Sequence, residues 1–457
     1  MGRTQRKRRH KKARNFHTCN ESTEIVLLNS WLKKQGMKCN EKLVLAVFDD
    51  TGRGVLTKRK IKAGEELLNL PLNCTINVTS ILMDVDFCSI FLVNKAPCVV
   101  EYKRKVSFQS LMAMYLVFLK IQGSKTKWSI YLNSLPKEYT VPYFLPNYLK
   151  CHIDTDILAV INKQNEIIKT SFHIFEKILE NSNSDKDAVI KLKAKFTMSV
   201  YEWAYFTVNT RCVYMDLSKL VDLINVENSI LNLIHDNTKI SLCPYLDMIN
   251  HSPSARNETK LMVSFNVKNI NVNYLNDKLF SDVWFSIYTK SHFDSYTEVY
   301  ICYGDSHNLK LITEYGFYLP ANDLDYVSFN FEDVLIFLKS KLIKLSQDQM
   351  AFIHNHGLNK HLYIDLRGLS FNLYGLLMVV KYYYNQSHDV SRMLYSAALC
   401  SNDKLLNELI TPMVRDKVVS VKESLSKLET YECDYVLSNC IALMSQYVVI
   451  LEKFIKY

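Results

Sequence analysis

The chain has 457 residues, with 56 basic and 46 acidic side chains for a net charge of +10, 48% hydrophobic content, and only 11 Gly and 9 Pro. That balance excludes collagen-like, low-complexity and short disulfide-bonded chains, and at about 100 to 200 residues per domain the length gives two or three folded units. The charge is uneven: Arg3, Arg6, Lys7, Arg8, Arg9, Lys11, Lys12 and Arg14 place eight cations ahead of residue 15, and taking those eight from +10 leaves the remainder at +2.

A cationic run of this kind can meet an acidic receptor groove or a phosphate backbone without a fold of its own. Residues 1–20 are therefore expected to form a disordered basic arm, with residues 3–14 engaging an import receptor or nucleic acid. Position 6 is Arg6 rather than Ser or Thr, so Gly2 is not expected to carry a myristoyl anchor. The first 20 residues are polar and no uninterrupted apolar run of about 18 residues occurs, which predicts neither a secretory leader nor a membrane span. A soluble chain of nucleus and cytoplasm is the expectation. The twelve cysteines form no Cys-x-x-Cys pair and no Cys/His cluster at zinc spacing, so they read as reduced thiols with no bound metal.

In chain order, Glu24 to Leu32 has helical apolar spacing, and Leu43 to Phe48 reads as a strand ending in the turn Asp49-Asp50-Thr51-Gly52. From Val55 to Leu70 short apolar runs are broken by the turn Lys62 to Glu65 and closed by Pro71. The period then changes to 3.6, giving a helical insert over about 80–235. Within it Phe108 to Ile121 is one helix. Ile157, Ile161, Ile168, Phe172, Phe175 and Leu179 line a second, capped at Asp154/Thr155 and stopped at Asn181 to Ser184, and a third is predicted from about Lys186 to Thr207. Alternation returns at Met262 to Val267 and Trp284 to Tyr288, bridged near Asn276-Asp277, and at Glu298 to Cys302 before Tyr303-Gly304. Past about Asp325 the pattern is helical again. Stripes over Val414 to Leu428 and Leu437 to Ile455 predict a helix pair. The predicted domains are the arm at 1–20, a β-rich domain with its insert at 21–320, and a helical domain at 321–457.

Three short segments could carry chemistry. Gly52-Arg53-Gly54 joins two strands and lets backbone approach a ligand, although by itself it is a turn without the third Gly of a dinucleotide fingerprint. Asp247-Met248-Ile249-Asn250-His251-Ser252 offers donors and acceptors for a heterocycle or carboxylate; alone, an Asn-His pair equally serves to close a loop. No nucleophile is spaced for a triad with His251. Glu298 to Gly304 ends in a tyrosine whose hydroxyl can project into a cleft, while Cys302 alternates with core positions and reads as packing. Leu311 to Phe317 follows.

Together these segments resemble the SET-domain methyltransferases, in the class with a split SET domain that includes the plant Rubisco large-subunit lysine methyltransferase. The matching stretches are Thr51 to Val55, Phe206 to Arg211, Asp247 to Ser252, Tyr303-Gly304 and Tyr315-Gly316-Phe317, with Trp128 to Pro136 similar to the inserted region. The resemblance runs from about residue 25 onward. It implies an α+β chain: a knotted β-rich SET fold interrupted by a helical insert, then an all-helical C-terminal substrate-binding domain. It also implies S-adenosylmethionine as methyl donor, without a metal. Thr51, Gly52 and Arg53 would contact the donor largely through backbone, and Arg211 would meet its carboxylate. Asn250 and His251 would hold its adenine and amino-acid ends, with Asp247 among the donor-binding residues. Tyr315, Gly316 and Phe317 would line the site, and Tyr303 would be the catalytic tyrosine. Some family members carry Glu where this chain has Thr51. The implied activity is protein-lysine N-methylation of a histone or another nuclear or cytosolic protein. Two alternatives stand beside it: methylation of a histidine, and a non-catalytic chromatin or nucleic-acid adaptor that binds through the basic arm.

Overall fold

The continuous apolar run Leu43–Phe48 and the segment Gly52–Thr57 form a hairpin that turns at Asp49 to Thr51, with Phe48 opposite Gly52 and Leu43 opposite Thr57. The computed structural model describes residues 16–19, 22–91, 101–223, 228–264, 270–271, 275, 280–383, 390–395 and 404–456. The basic run at 3–14 and the turn at Asn276-Asp277 lie outside the described residues. By packing, the chain divides into two units: Met1–Tyr139 with Glu166–Asp305, and Thr140–Asn165 with Ser306–Tyr457.

In the first unit the hairpin lies within a five-stranded sheet whose order is Phe16–Thr18, Leu43–Phe48, Gly52–Thr57, Glu298–Ile301 and Asn250–His251. Glu298–Ile301 runs antiparallel to Gly52–Thr57 and parallel to Asn250–His251, pairing Tyr300 with Asn250 and Ile301 with His251. Segments about 50 and about 240 residues apart in sequence thus become neighbouring strands, which the spacing along the chain does not reveal. A second sheet orders Asn257–Val263, Val283–Thr289, Glu66–Pro71 and Lys38–Cys39. Strand residues Leu45, Val55, Leu56, Leu68, Phe285 and Val299 are buried and supply much of the β core.

The insert is built on Phe108–Gln122 packed against Met198–Arg211. Eleven residues of the former are buried, so it is apolar on nearly every side, as a helix enclosed by others must be. The helix predicted from Lys186 to Thr207 is instead two helices, Asp187–Lys195 and Met198–Arg211. Phe196 and Thr197 are extended between them, and the Phe196 ring stacks on Phe172 at 4.7 Å and 10°. Packing that ring outweighs a continuous helix, and β-branched Thr197 favours the extended backbone. The strand predicted at Met262 to Val267 is found at Asn257–Val263. Its last three predicted residues lie outside the described set.

The second unit is dominated by helices, with Lys404–Leu428 packed on Tyr435–Lys456 through the two predicted stripes. Tyr435–Lys456 is long and apolar enough to cross a membrane by length and composition alone, yet Leu437, Cys440, Leu443, Met444 and Leu451 are buried inside the unit. The unit also holds a small antiparallel sheet of Tyr326–Ser328, Tyr363–Asp365 and Gly368–Leu369, which an all-helical expectation did not contain. Strands of two or three residues are too short to establish a period of two.

Candidate active site

Neighbouring strands bring Thr51 to Gly54, Asn250-His251 and Tyr303 together in the first unit. The Tyr303 backbone N–H donates to His251 Nδ1 at 3.0 Å, and its hydroxyl donates to the Ile249 carbonyl at 2.7 Å. The two rings lie 5.1 Å apart. Tyr303 is therefore fixed at both ends, backbone and phenol, by the Ile249 to His251 segment.

Asn250 Nδ2 faces three acceptors: Glu298 Oε1 at 2.8 Å, the Arg53 carbonyl at 3.2 Å and the Thr51 carbonyl at 3.4 Å. A methyl built on Gly54 would overlap the Glu298 carboxylate and come within 2.8 Å of Asn250 Nδ2, so that position requires glycine for close approach. Gly52 has φ of 70°, the left-handed conformation that lets the hairpin turn back.

Deeper in the same unit, Arg211 ends the helix Met198–Arg211 and reaches the 3₁₀ turn Leu246–Met248. Its Nη1 donates to Asp247 Oδ2 at 3.2 Å and to the Asp247 carbonyl at 3.1 Å. Asp247 is fully buried and also accepts from Tyr131 Oη at 2.8 Å. Burial alone would depress the Arg211 pKa, but the Asp247 carboxylate reverses this and holds the guanidinium above its ordinary value. Tyr139 bonds Thr207 Oγ1 at 2.8 Å and stands beside Arg211. Ahead of the turn, buried Tyr245 takes a φ of 73°, a strained conformation for a bulky residue and one that the surrounding packing must impose. The Arg53 guanidinium faces Arg211 and Asp247, and is depressed by burial and then by Arg211.

Two guanidinium groups thus meet one carboxylate, and Arg211 Nε is buried with no partner. A buried donor of that kind is costly unless something accepts from it. The surplus positive charge, the orphaned donor and the closely approached glycine backbone together fit a ligand that brings a carboxylate, as S-adenosylmethionine does. Tyr315, Gly316 and Phe317 belong to the second unit. There the π-helix Leu311–Tyr315 ends at Gly316 with φ of 82°, and the Tyr315 and Phe317 rings lie 6.3 Å apart.

Sequence reading missed Glu298, Tyr131 and Tyr139. Glu298 opens a strand, where a carboxylate ordinarily faces water, and the tyrosines sit in the insert with no spacing relation to Arg211. A signal was available in Tyr131, which falls within the Trp128 to Pro136 stretch, and in Glu298, which opens the Glu298 to Gly304 segment.

His251 gives the site a pH dependence. Burial lowers its pKa below the usual 6.5, opposed by a bond to the Ile301 backbone and by the Asp305 charge. A depressed histidine means that the unfolded chain binds the proton more readily, so this contribution is complete above about pH 6.5 and is lost as pH falls toward the folded-state value. Denaturant midpoints should therefore drop between pH 7 and pH 5 by more in the native protein than in His251→Gln. Equal slopes would contradict the assignment.

The architecture is that of the SET domain in its split form, the fold seen in the Rubisco large-subunit methyltransferase. It is similar to SET domain-containing protein 4 of Mus musculus, with 26% identity over 81% of this chain and 76% of that protein. It is also similar to a ribosomal lysine N-methyltransferase of Schizosaccharomyces pombe (24% identity, 75% of this chain and 71% of that protein). An actin-histidine N-methyltransferase of Drosophila melanogaster matches at 24% identity over 67% of this chain and 51% of its own length. Among solved structures, the SET domain of the large-subunit methyltransferase bound to lysine and S-adenosylhomocysteine superposes with a TM-score of 0.60, at 15% identity, covering 96% of this chain and 91% of that one. No family model matches the chain.

Proposed function

We propose that this chain is an S-adenosylmethionine-dependent protein-lysine N-methyltransferase acting on nuclear and cytosolic proteins, histones among them. The observation that carries the reading is the clamping of Tyr303 by Ile249 and His251, on strands adjoining the Thr51–Gly54 segment and Asn250. When bound, S-adenosylmethionine supplies a methyl group activated by its sulfonium. The protein's own residues must then present an unprotonated amine in line with that methyl. A lysine with pKa about 10.4 is only about 0.1% neutral near pH 7.4, equivalent to roughly 4 kcal/mol. Burial and a neighbouring positive charge both lower that pKa. Because the Tyr303 proton is engaged by the Ile249 carbonyl, the phenol oxygen serves as an acceptor that orients the amine N–H. No side chain need act as base if the ammonium proton leaves through water before the amine docks.

Asn250, His251, Arg211 and the Thr51 to Arg53 backbone are assigned to donor binding, with Asp247 holding Arg211. The basic run at residues 3–14 is the proposed import or polyanion-binding element. Histidine methylation is the second reading, favoured by the similarity to an actin-histidine methyltransferase. Incubation with isotopically labelled S-adenosylmethionine and nuclear extract, followed by residue-level mass spectrometry, tests both. Label on lysine is expected; label confined to histidine would transfer the assignment to the second reading, and no label on any protein would refute both.

A further inference from the structure

We infer that Glu298 is the positioning residue of the donor site, fixing which end of the Asn250 amide faces the ligand. This rests on the donor-binding reading above. Glu298 is 8% exposed and gathers three donors: Thr51 Oγ1 at 2.7 Å and Tyr300 Oη at 2.7 Å on Oε2, and Asn250 Nδ2 at 2.8 Å on Oε1. Each donor comes from a different strand or turn of the site, so one carboxylate ties together the glycine turn, the Asn-His strand and the strand leading to Tyr303. Burial and the Glu298 charge both raise the Tyr300 phenol, which keeps it a donor to the carboxylate.

The amide orientation follows from chemistry. Asn250 is surrounded on one side by the Glu298 carboxylate and the carbonyls of Arg53 and Thr51, all acceptors. Only the NH₂ end can face that set without repulsion, so the oxygen must point away. Among the described residues Oδ1 makes no hydrogen bond, and it is left to accept from a ligand ammonium or amine, such as the amino groups of the proposed donor. Removing Glu298 takes away the strongest of the three acceptors, and the amide can then turn its NH₂ toward the ligand's own donors. Thr51 is part of this device: its hydroxyl donates to Glu298 Oε2, the oxygen that Asn250 does not use.

The test titrates S-adenosylhomocysteine and S-adenosylmethionine into the full chain by calorimetry, for the native protein and for Glu298→Leu, Glu298→Gln and Thr51→Val. Glu298→Leu should weaken both ligands by about 10- to 100-fold, the range expected when a charged hydrogen-bond partner is lost. In steady-state assays the donor KM should rise by that factor while kcat changes less than about threefold. Glu298→Gln should restore affinity to within about threefold, because its one carbonyl oxygen can take Asn250 while the hydroxyls of Thr51 and Tyr300 turn to accept from its NH₂. If Glu298→Leu fails to fold, Thr51→Val, at an exposed position, should weaken binding by about two- to fivefold. The inference is overturned if Glu298→Leu binds as the native protein does, if Glu298→Gln is as impaired as Glu298→Leu, or if Thr51→Val is neutral when it is the variant read. Failure of the native protein to bind either ligand would instead overturn the donor-binding reading itself.

Discussion

Phenylalanine in place of Tyr303 is expected to lower methyl transfer by about 10²- to 10³-fold while donor affinity stays within about threefold. The hydroxyl is the only atom removed, and it contacts the Ile249 carbonyl rather than the Thr51–Gly54 turn or Asn250. The backbone N–H that engages His251 is retained in the variant, so the segment assigned to donor binding keeps its geometry. What is lost is the oxygen proposed to orient the amine, an interaction needed chiefly as the nitrogen approaches the methyl group. Loss of such an interaction lowers kcat and kcat/KM together. Single-turnover transfer of labelled methyl, paired with a donor titration, separates the two quantities. A variant with more than a tenth of native activity would remove Tyr303 from the catalytic role.

Much of the local structure could be read from the chain because it rests on local patterns. The hairpin Leu43–Phe48/Gly52–Thr57 has a short apolar run followed by a turn rich in Asp, Thr and Gly, and the helices Phe108–Gln122 and Thr155–Asn181 have sustained apolar spacing with recognisable starts. The stripes at Val414 to Leu428 and Leu437 to Ile455 were legible for the same reason. The break at Phe196-Thr197 was not, since it depends on the Phe172 ring, which is distant in sequence. Nor was the small sheet around Tyr363–Asp365, whose strands gain stability from neighbours rather than from propensity.

The site shows the same division. Gly54, Asn250, His251 and Tyr303 stand in short motifs that a family resemblance can carry. Glu298 stands in a sequence, Thr297-Glu298-Val299-Tyr300, that would suit any solvent-facing strand edge. Its burial results from pairing with Leu56 across the sheet and from the arrival of Thr51 and Asn250 above it. The same holds for Tyr131, whose partner Asp247 lies 116 residues away. Long-range pairings of this kind decide which polar groups are satisfied, and no local period reports them.

Asp247 is where the largest loss of stability is expected. Its side chain is wholly enclosed, and Arg211, only 15% exposed, leans on it through Nη1. Asp247→Ala would leave Arg211 with the residue-247 carbonyl and the neighbouring tyrosines but no countercharge. An uncompensated buried charge of this type costs about 3 to 5 kcal/mol, to be read from denaturant midpoints at constant slope. Asp247→Asn keeps an acceptor for Tyr131 and should lose less, about 1.5 to 3 kcal/mol. The double change Asp247→Leu with Arg211→Met removes both charges and should recover a large part of the stability, as replacing a buried ion pair by apolar side chains often does. Donor affinity should not recover with it, because the cation assigned to the donor carboxylate has gone. Stability and binding therefore part company in the double variant. If they returned together, Arg211 would be a structural cation only, and Arg53 would be left to meet the carboxylate alone.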